Sequence, residues 1–531
     1  MFREFFKRVS VAPTNPIVTS TPPKNTSKEF DIAELYQGPI QAVDDETDRS
    51  VPLDEKLRQA YFWIINHAII SPFYDIEYNE GPFQAFELGD RGNRIVLPSG
   101  QSYCSFVLMP LLAFAVRAKC LLVGGPGRGK TSSAVLMGVL AGYSTRDVRR
   151  AIQKGQPQMT IADLLGSPLP SDLIKAQSAD QIAIAWRKWL GMRVKIIDEY
   201  NRIPTRTQSA LLTLMSDNYA ELYDQTLECP EAAWYLTAND DAGGGTYQVI
   251  EALRDRIDIV VKALHFNSRF LSDLLDRIET GIRPEEMVPS EVVFTMEETN
   301  RLHQQIRQVA IPSNIRRRLE FFVSQFEYFE SAANQFEYKT KDTIKLSAMD
   351  WHQVAGSETG KDKTKDIGAQ TKNGISVRAI MTILSFVKAI AFFRGAKQVE
   401  LEDLRQIIPF VLHDKLVQDS DCPFFESDNH AALRADKVTW IREMFDMACS
   451  EYDRLQLDVD DPVKVMNEVF EKGLDGVSEH EVRKRLLEIE RLLKSWSNSR
   501  KFYGHMYDDA LKLKYLHQRY SNYLRWLSWR E

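Results

Sequence analysis

The stretch that most constrains this chain is Gly124-Gly125-Pro126-Gly127-Arg128-Gly129-Lys130-Thr131, which follows the short apolar run Leu121-Leu122-Val123 and opens into a helical pattern from Ser132 to Leu140. Its spacing is G-x-x-x-x-G-K-[ST], the pattern of a phosphate-cradling loop between a strand and a helix. Glycines let successive backbone N–H groups turn toward one anion, and the helix N-terminus adds the positive end of its dipole. The pattern assigns Gly124, Gly125, Pro126, Gly127, Arg128, Gly129, Lys130, Thr131 and Ser132 to nucleotide binding, with Lys130 on the terminal phosphates and Thr131 on Mg²⁺. A loop of this kind requires a parallel sheet behind it, so the fold class expected over residues 101–264 is a parallel five-stranded α/β sheet with helices on both faces.

Two later strands end in polar residues, where ligands of such sheets sit. Val194-Lys195-Ile196-Ile197 runs into Asp198 and Glu199. Asp198 is the natural Mg²⁺ partner and Glu199 the natural group to orient an attacking water. Ala233 to Ala238 runs into Asn239, either a turn residue or a donor to that water or to the γ-phosphate. Downstream, Arg254 and Arg256 stand two apart at a helix end. They are either surface ion-pair partners or cations projecting toward a neighbouring subunit's phosphate.

These segments, taken in order, resemble the MoxR family of AAA+ ATPases. The resemblance rests on the phosphate loop, on Ile-Ile-Asp-Glu-Tyr-Asn-Arg-Ile-Pro at 196–204 and on Thr-Gln-Ser-Ala-Leu-Leu-Thr-Leu-Met at 207–215. Thr237-Ala238-Asn239, Gly245-Thr246-Tyr247, Glu251-Ala252, Asp255-Arg256 and Ser376-Val377-Arg378-Ala379 add to it. It spans roughly residues 105 to 417 with interruptions and implies ATP and Mg²⁺ bound between subunits of a homo-oligomeric ring, usually a hexamer. It makes Asn239 a sensor, Arg256 a finger acting in trans and Arg378 a lid arginine reaching the γ-phosphate. It further implies an insertion near residues 161–190 facing the ring pore and a hairpin near 218–233. Two departures stand out. Asp240 follows Asn239 where the family has proline, and Arg254 stands where leucine is common, which leaves open which arginine is the finger.

The rest of the chain divides by composition. Residues 1–52, rich in Pro, Thr, Ser and Asp, are expected to form a flexible arm. Residues 53–100 are expected to hold one helix and short strands, and 265–417 a helical lid broken by a polar, Lys-rich insert at 331–372. Residues 418–531 form a C-terminal helical domain in this reading. Its last forty residues mix Arg and Lys with Tyr and Trp, either to stack single-stranded nucleic acid or to pack a bundle. The net charge of −7 gives no general reason to expect nucleic acid. Five cysteines without a C-x-x-C pair fit a reducing compartment and argue against zinc, and the run Phe106 to Val116 is too short to cross a bilayer. The expected location is therefore the cytoplasm. The resemblance points to chaperone-like remodelling of a client complex through a separate von Willebrand factor A-domain adaptor. A nucleic-acid translocase of the same clade is the alternative, and a scaffold that uses nucleotide only to set its shape is a third.

Overall fold

The computed structural model describes residues 51–69, 71, 73–79, 81–82, 84–89, 93–168, 184–239, 251–263, 268–281, 283–327, 340–346, 367–427, 430–459, 461–497 and 504–530. Outside them lie nearly all of the expected arm, part of the expected insertion, the Gly245-Thr246-Tyr247 loop, Asp240 and most of the expected polar insert.

Five strands form the central sheet: β1 Lys119–Val123, β2 Gln153–Lys154, β3 Val194–Asp198, β4 Ala233–Ala238 and β5 Ile259–Lys262. Their order is β5-β1-β4-β3-β2 and every pair is parallel, as the alternating sequence pattern predicts. A parallel sheet must bury both faces, so its strands read as continuous apolar runs whose alternate residues feed two cores. Cys120, Leu122, Ile196, Tyr235 and Val261 face the larger core. Leu121, Ile197, Trp234, Leu236 and Val260 face the smaller one.

Helix α1 (Leu53–Trp63) precedes the sheet and α2 (Ser105–Val116) packs beneath it. Every residue of α2 from Ser105 to Ala115 is buried, as an all-apolar helix demands. The Pro110 carbonyl inside it accepts a hydrogen bond from the Tyr235 hydroxyl at 2.8 Å. Helices α3 (Lys130–Leu140), α4 (Thr205–Asp217) and α5 (Glu251–Arg256) complete the α/β layer. The hairpin expected near 218–233 is present as Tyr219–Leu222 paired with Gln225–Glu228. Within the expected insertion, residues 166–168 pair antiparallel with 184–186.

Five further helices are α6 (Met296–Gln308), α7 (Ser313–Ser324), α8 (Val377–Phe393), α9 (Leu401–Leu412) and α10 (Lys437–Arg454). Their buried side chains join those of α1 and α2 in one continuous core, in which Phe386, Ile407, Phe425, Trp440 and Phe445 all take part. The core therefore runs without a break across both residue 100 and residue 417. Beyond it, α11 (Pro462–Glu471), α12 (Glu479–Ser497) and α13 (Gly504–Arg530) close around a small core of Val463, Val482, Ile489, Leu513, Leu516 and Tyr520. Arg317 of α7 fastens this bundle, bonding Asp461 at 2.6 Å and Asp509 at 3.3 Å. The tail aromatics divide: Tyr507 and Tyr520 are buried, whereas Trp529 is 74% exposed.

A polar seam binds Arg58, Glu77 and Tyr78 to the lid. The Tyr78 hydroxyl donates to Asp403 at 2.8 Å, and Arg394 donates to the same buried oxygen at 2.8 Å. Gln406 pairs with the backbone of Glu77 through both its amide groups, and Arg58 donates to the Phe393 carbonyl at 2.8 Å. Among the described residues no helix is long and apolar enough to cross a membrane, and no cluster of His, Cys, Asp and Glu could hold a metal ion.

Candidate active site

The loop after β1 ends at Gly129, whose φ of 76° is left-handed and which starts α3. A side chain is strained there, so glycine lets the chain swing directly from loop to helix. Lys130, 7% exposed, curls back over the loop. Its ammonium donates to the carbonyls of Gly124 at 2.6 Å and Gly125 at 2.7 Å, and to Asn239 Oδ1 at 3.1 Å. Asn239 in turn donates through Nδ2 to Glu199 Oε1 at 3.1 Å. Loop cation, strand-end amide and strand-end acid thus form one chain of contacts, from segments far apart in sequence.

A second chain runs alongside. Thr131 Oγ1 donates to Asp198 Oδ1 at 2.9 Å, and Thr237 Oγ1 donates to the same oxygen at 2.6 Å. Thr237 Oγ1 also accepts the backbone N–H of Glu199 at 2.9 Å. Glu199 needs that support, because its φ of 54° is left-handed and it is not a glycine. Arg202 reaches its carboxylate at 3.3 Å. The donor set suits Mg²⁺, a hard cation that takes oxygen ligands, since a hydroxyl and a carboxylate already meet at Thr131 and Asp198. The loop suits phosphate: a helix N-terminus, glycine-rich backbone and one enclosed cation converge on it.

Two of the three arginines bridge the seam between the α/β layer and the lid. Arg254 reaches Asp414 at 3.3 Å, and Arg378, at the start of α8, pairs with Asp255. Arg256 turns the other way and bonds Ser216 Oγ at the end of α4. Arg254 and Arg378 are therefore engaged with each other's domains, while Lys130, Thr131, Asp198, Glu199 and Asn239 meet in the network above.

The model of the ATPase family associated with various cellular activities (AAA) matches residues 119–259, and that of the AAA lid domain matches 365–434. The chaperone MoxR1 of Mycobacterium tuberculosis is 26% identical over 227 residues. These segments are similar to an AAA ATPase domain followed by its lid. That alignment covers 42% of this chain and 50% of the chaperone, so the chain spans about half the length of the curated relative it matches. A crystal structure of a protein described as an ATPase from Cytophaga hutchinsonii shares 17% identity at a TM-score of 0.43, over 64% of this chain and 89% of that one.

Within the AAA+ module, the sequence reading assigned no role to Thr237, Arg202, Asp255 or Asp414. A hydroxyl inside the otherwise apolar strand Ala233–Ala238 is a signal for Thr237, and a cation three residues after Glu199 is one for Arg202. Asp414 has no such local mark; only the folded chain brings it to Arg254.

Proposed function

We propose that this AAA+ module hydrolyses ATP in a ring of identical subunits and uses the cycle to remodel a partner protein complex. The observation that carries the reading is the paired network in which Lys130, Asn239 and Glu199 form one line and Thr131, Asp198 and Thr237 the other. The backbone of residues 124–131 and the Lys130 ammonium hold the triphosphate; Thr131 and Asp198 hold magnesium. Magnesium, when bound, supplies compact positive charge against the phosphate oxygens. Glu199, steadied by Asn239 and Arg202, accepts a hydrogen bond from the attacking water and aligns it. Asn239 couples that carboxylate to the Lys130 ammonium, so the position of one registers the position of the other. An arginine from the next subunit, Arg256 or Arg254, completes the charge stabilisation, and Arg378 links nucleotide state to the angle of the lid.

Catalysis of this kind is positioning plus electrostatics. Glu199→Gln keeps size and hydrogen bonding but removes the charge. It is expected to lower turnover by about 10²-fold or more while ATP still binds; normal turnover in that variant would overturn the reading. The finger is identified by mixing. Arg256→Ala or Arg254→Ala alone is expected to lose about 10³-fold in turnover. The true finger variant regains activity when mixed with Glu199→Gln chains, which donate the missing arginine. By analogy with a relative named a chaperone, the output is proposed to be client remodelling in the cytoplasm by a hexamer. A separate von Willebrand factor A-domain adaptor would dock on the C-terminal helices. Capture of that adaptor by the Glu199→Gln chain with ATP, and not without, is the check.

A further inference from the structure

Two surfaces of the chain are unusually complementary, and the hydrolytic site uses neither. The first is a groove of about 780 Å³ between α6, α7 and α8, which the start of α13 also borders. Its floor is apolar: Ile306, Ile311, Leu319, Val323, Ile380 and Leu384. Arg307, Arg316 and Lys388 line it as well, and so does Glu320, whose carboxylate pairs with Arg317; among the described residues none of the three cations has a carboxylate partner, Lys388 donating instead to the Arg307 carbonyl at 2.7 Å. Their mutual repulsion is felt: burial, then Arg316 and Arg307, depress the Lys388 ammonium below its ordinary range. Asp508 also borders the groove, but burial pushes its carboxyl up to about 7, which weakens it as a counter-charge.

The second surface is the helix Leu271–Glu279, none of whose residues is buried. Leu271, Leu275 and Ile278 recur at i, i+4 and i+7 and are 46%, 46% and 64% exposed. Such spacing sets them in one stripe. Asp273, Asp276 and Glu279 make the rest of the helix acidic, with Arg277 the one opposing cation. Arg277 is tied to the Ala68 carbonyl at 3.1 Å, which fastens the helix to the body beside α1 with its apolar stripe outward.

We infer that the groove receives helix Leu271–Glu279 of a second copy of this chain. An amphipathic helix laid in an apolar groove is anchored by an i, i+4, i+7 series. Here the groove brings three cations without a carboxylate partner among the described residues and the helix brings carboxylates, so docking relieves the repulsion among Arg307, Arg316 and Lys388. Because groove and helix are different surfaces, the contact is head-to-tail, and a head-to-tail contact repeats until a ring closes. The inference rests on the assembly reading above and deepens it by naming the two faces.

The test uses the full chain with magnesium and a non-hydrolysable β,γ-imido analogue of ATP, with assembly read by single-molecule mass measurement. The parent assembles. Arg307→Glu with Lys388→Glu destroys the groove, and Leu275→Asp with Ile278→Asp destroys the helix. Each double variant alone associates at least about tenfold more weakly, since both remove central anchors. An equimolar mixture forms dimers and nothing larger, because each variant keeps one intact half, and this pairing also proves both chains folded. A photoreactive residue placed at Ser385 in the parent labels residues 271–279 of another copy. Assembly of either variant at the parent's level, a mixture that stays monomeric, or labelling confined to another segment, such as residues 1–50, overturns the inference. Nucleotide binding, measured separately, keeps the two readings apart. If neither parent nor variants bind the analogue, the hydrolase reading fails. If all bind it and the variants still assemble, only the groove fails.

Discussion

Gly155 follows the edge strand β2, and its N–H donates to the Asp198 carbonyl at 2.7 Å. A Cβ at this position would lie 2.1 Å from the Glu199 carbonyl oxygen and 3.2 Å from that of Asp198. Real Cβ atoms stay beyond 3.0 Å, so Gly155→Ala forces the strand end to retreat by about 0.9 Å, the difference between those two distances. The move lands on the two acids proposed to hold metal and water, and on a Glu199 backbone already in left-handed geometry. A misplacement of about 1 Å costs about 10²-fold in rate when catalysis depends on alignment. Overpacking of this size also costs about 1–3 kcal/mol of stability. The expected result is turnover reduced about 10²-fold in a coupled ATPase assay, with nucleotide affinity nearly unchanged because the loop at 124–131 is untouched. Gly191→Ala is the matched control, since nothing lies within 4 Å of its added Cβ. Parental turnover in Gly155→Ala would refute the claim that the backbone at 155 sets the position of Glu199.

Thr237→Val keeps the shape of a side chain that is 1% exposed but removes the hydroxyl joining Asp198 to the Glu199 N–H. It is expected to cost about 1–3 kcal/mol in chemical denaturation and to lower turnover; a variant with parental values of both would count against the bridge. Asp508 gives a pH signature. Burial, then Glu327 and Asp509, push its carboxyl up to about 7, so the folded chain holds this proton to higher pH than the unfolded chain does. The associated stability is present at low pH and is lost as pH rises through about 7. Asp508→Asn should therefore raise the melting temperature at pH 8 and give no gain near pH 4, as scanning calorimetry can check. His505 runs the opposite way: burial holds its imidazole down to about 4, so its share of stability fades as pH falls from the ordinary histidine range through that value.

The legible parts of this molecule were those written in short windows. The loop at 124–131, the acids after β3 and the amide after β4 carry their chemistry in adjacent residues, and the parallel sheet follows from the alternation around them. The hairpin at 219–228 was marked by the resemblance. What stayed hidden depends on contacts between distant segments. Nothing near Gly155 announces that the Glu199 carbonyl will press against it. Arg378 pairing with Asp255, and Arg254 with Asp414, follow from the docking of lid on sheet, which no local spacing encodes. The seam expected at residue 100 came from the order of helix and strand patterns, and the one at 417 from the extent of the resemblance. The core crosses both positions: Tyr61, Tyr103 and Phe393 meet edge to face within it, and Trp440 and Phe445 join it from beyond residue 417.

That aromatic and polar junction constrains where motion can originate. Asp403 is fully buried and accepts from Tyr78 and Arg394 together, so sliding α9 past residues 76–78 would take the Tyr78 hydroxyl away from a buried carboxylate that keeps Arg394. Losing a hydrogen bond to a buried charged group costs about 1.5–3 kcal/mol. A pivot elsewhere is far cheaper, and the surface pairs Arg254–Asp414 and Arg378–Asp255 are the thin places. Residues 77–78 are tied to α9 and to Arg394, so they are expected to follow α9 rather than slide across it.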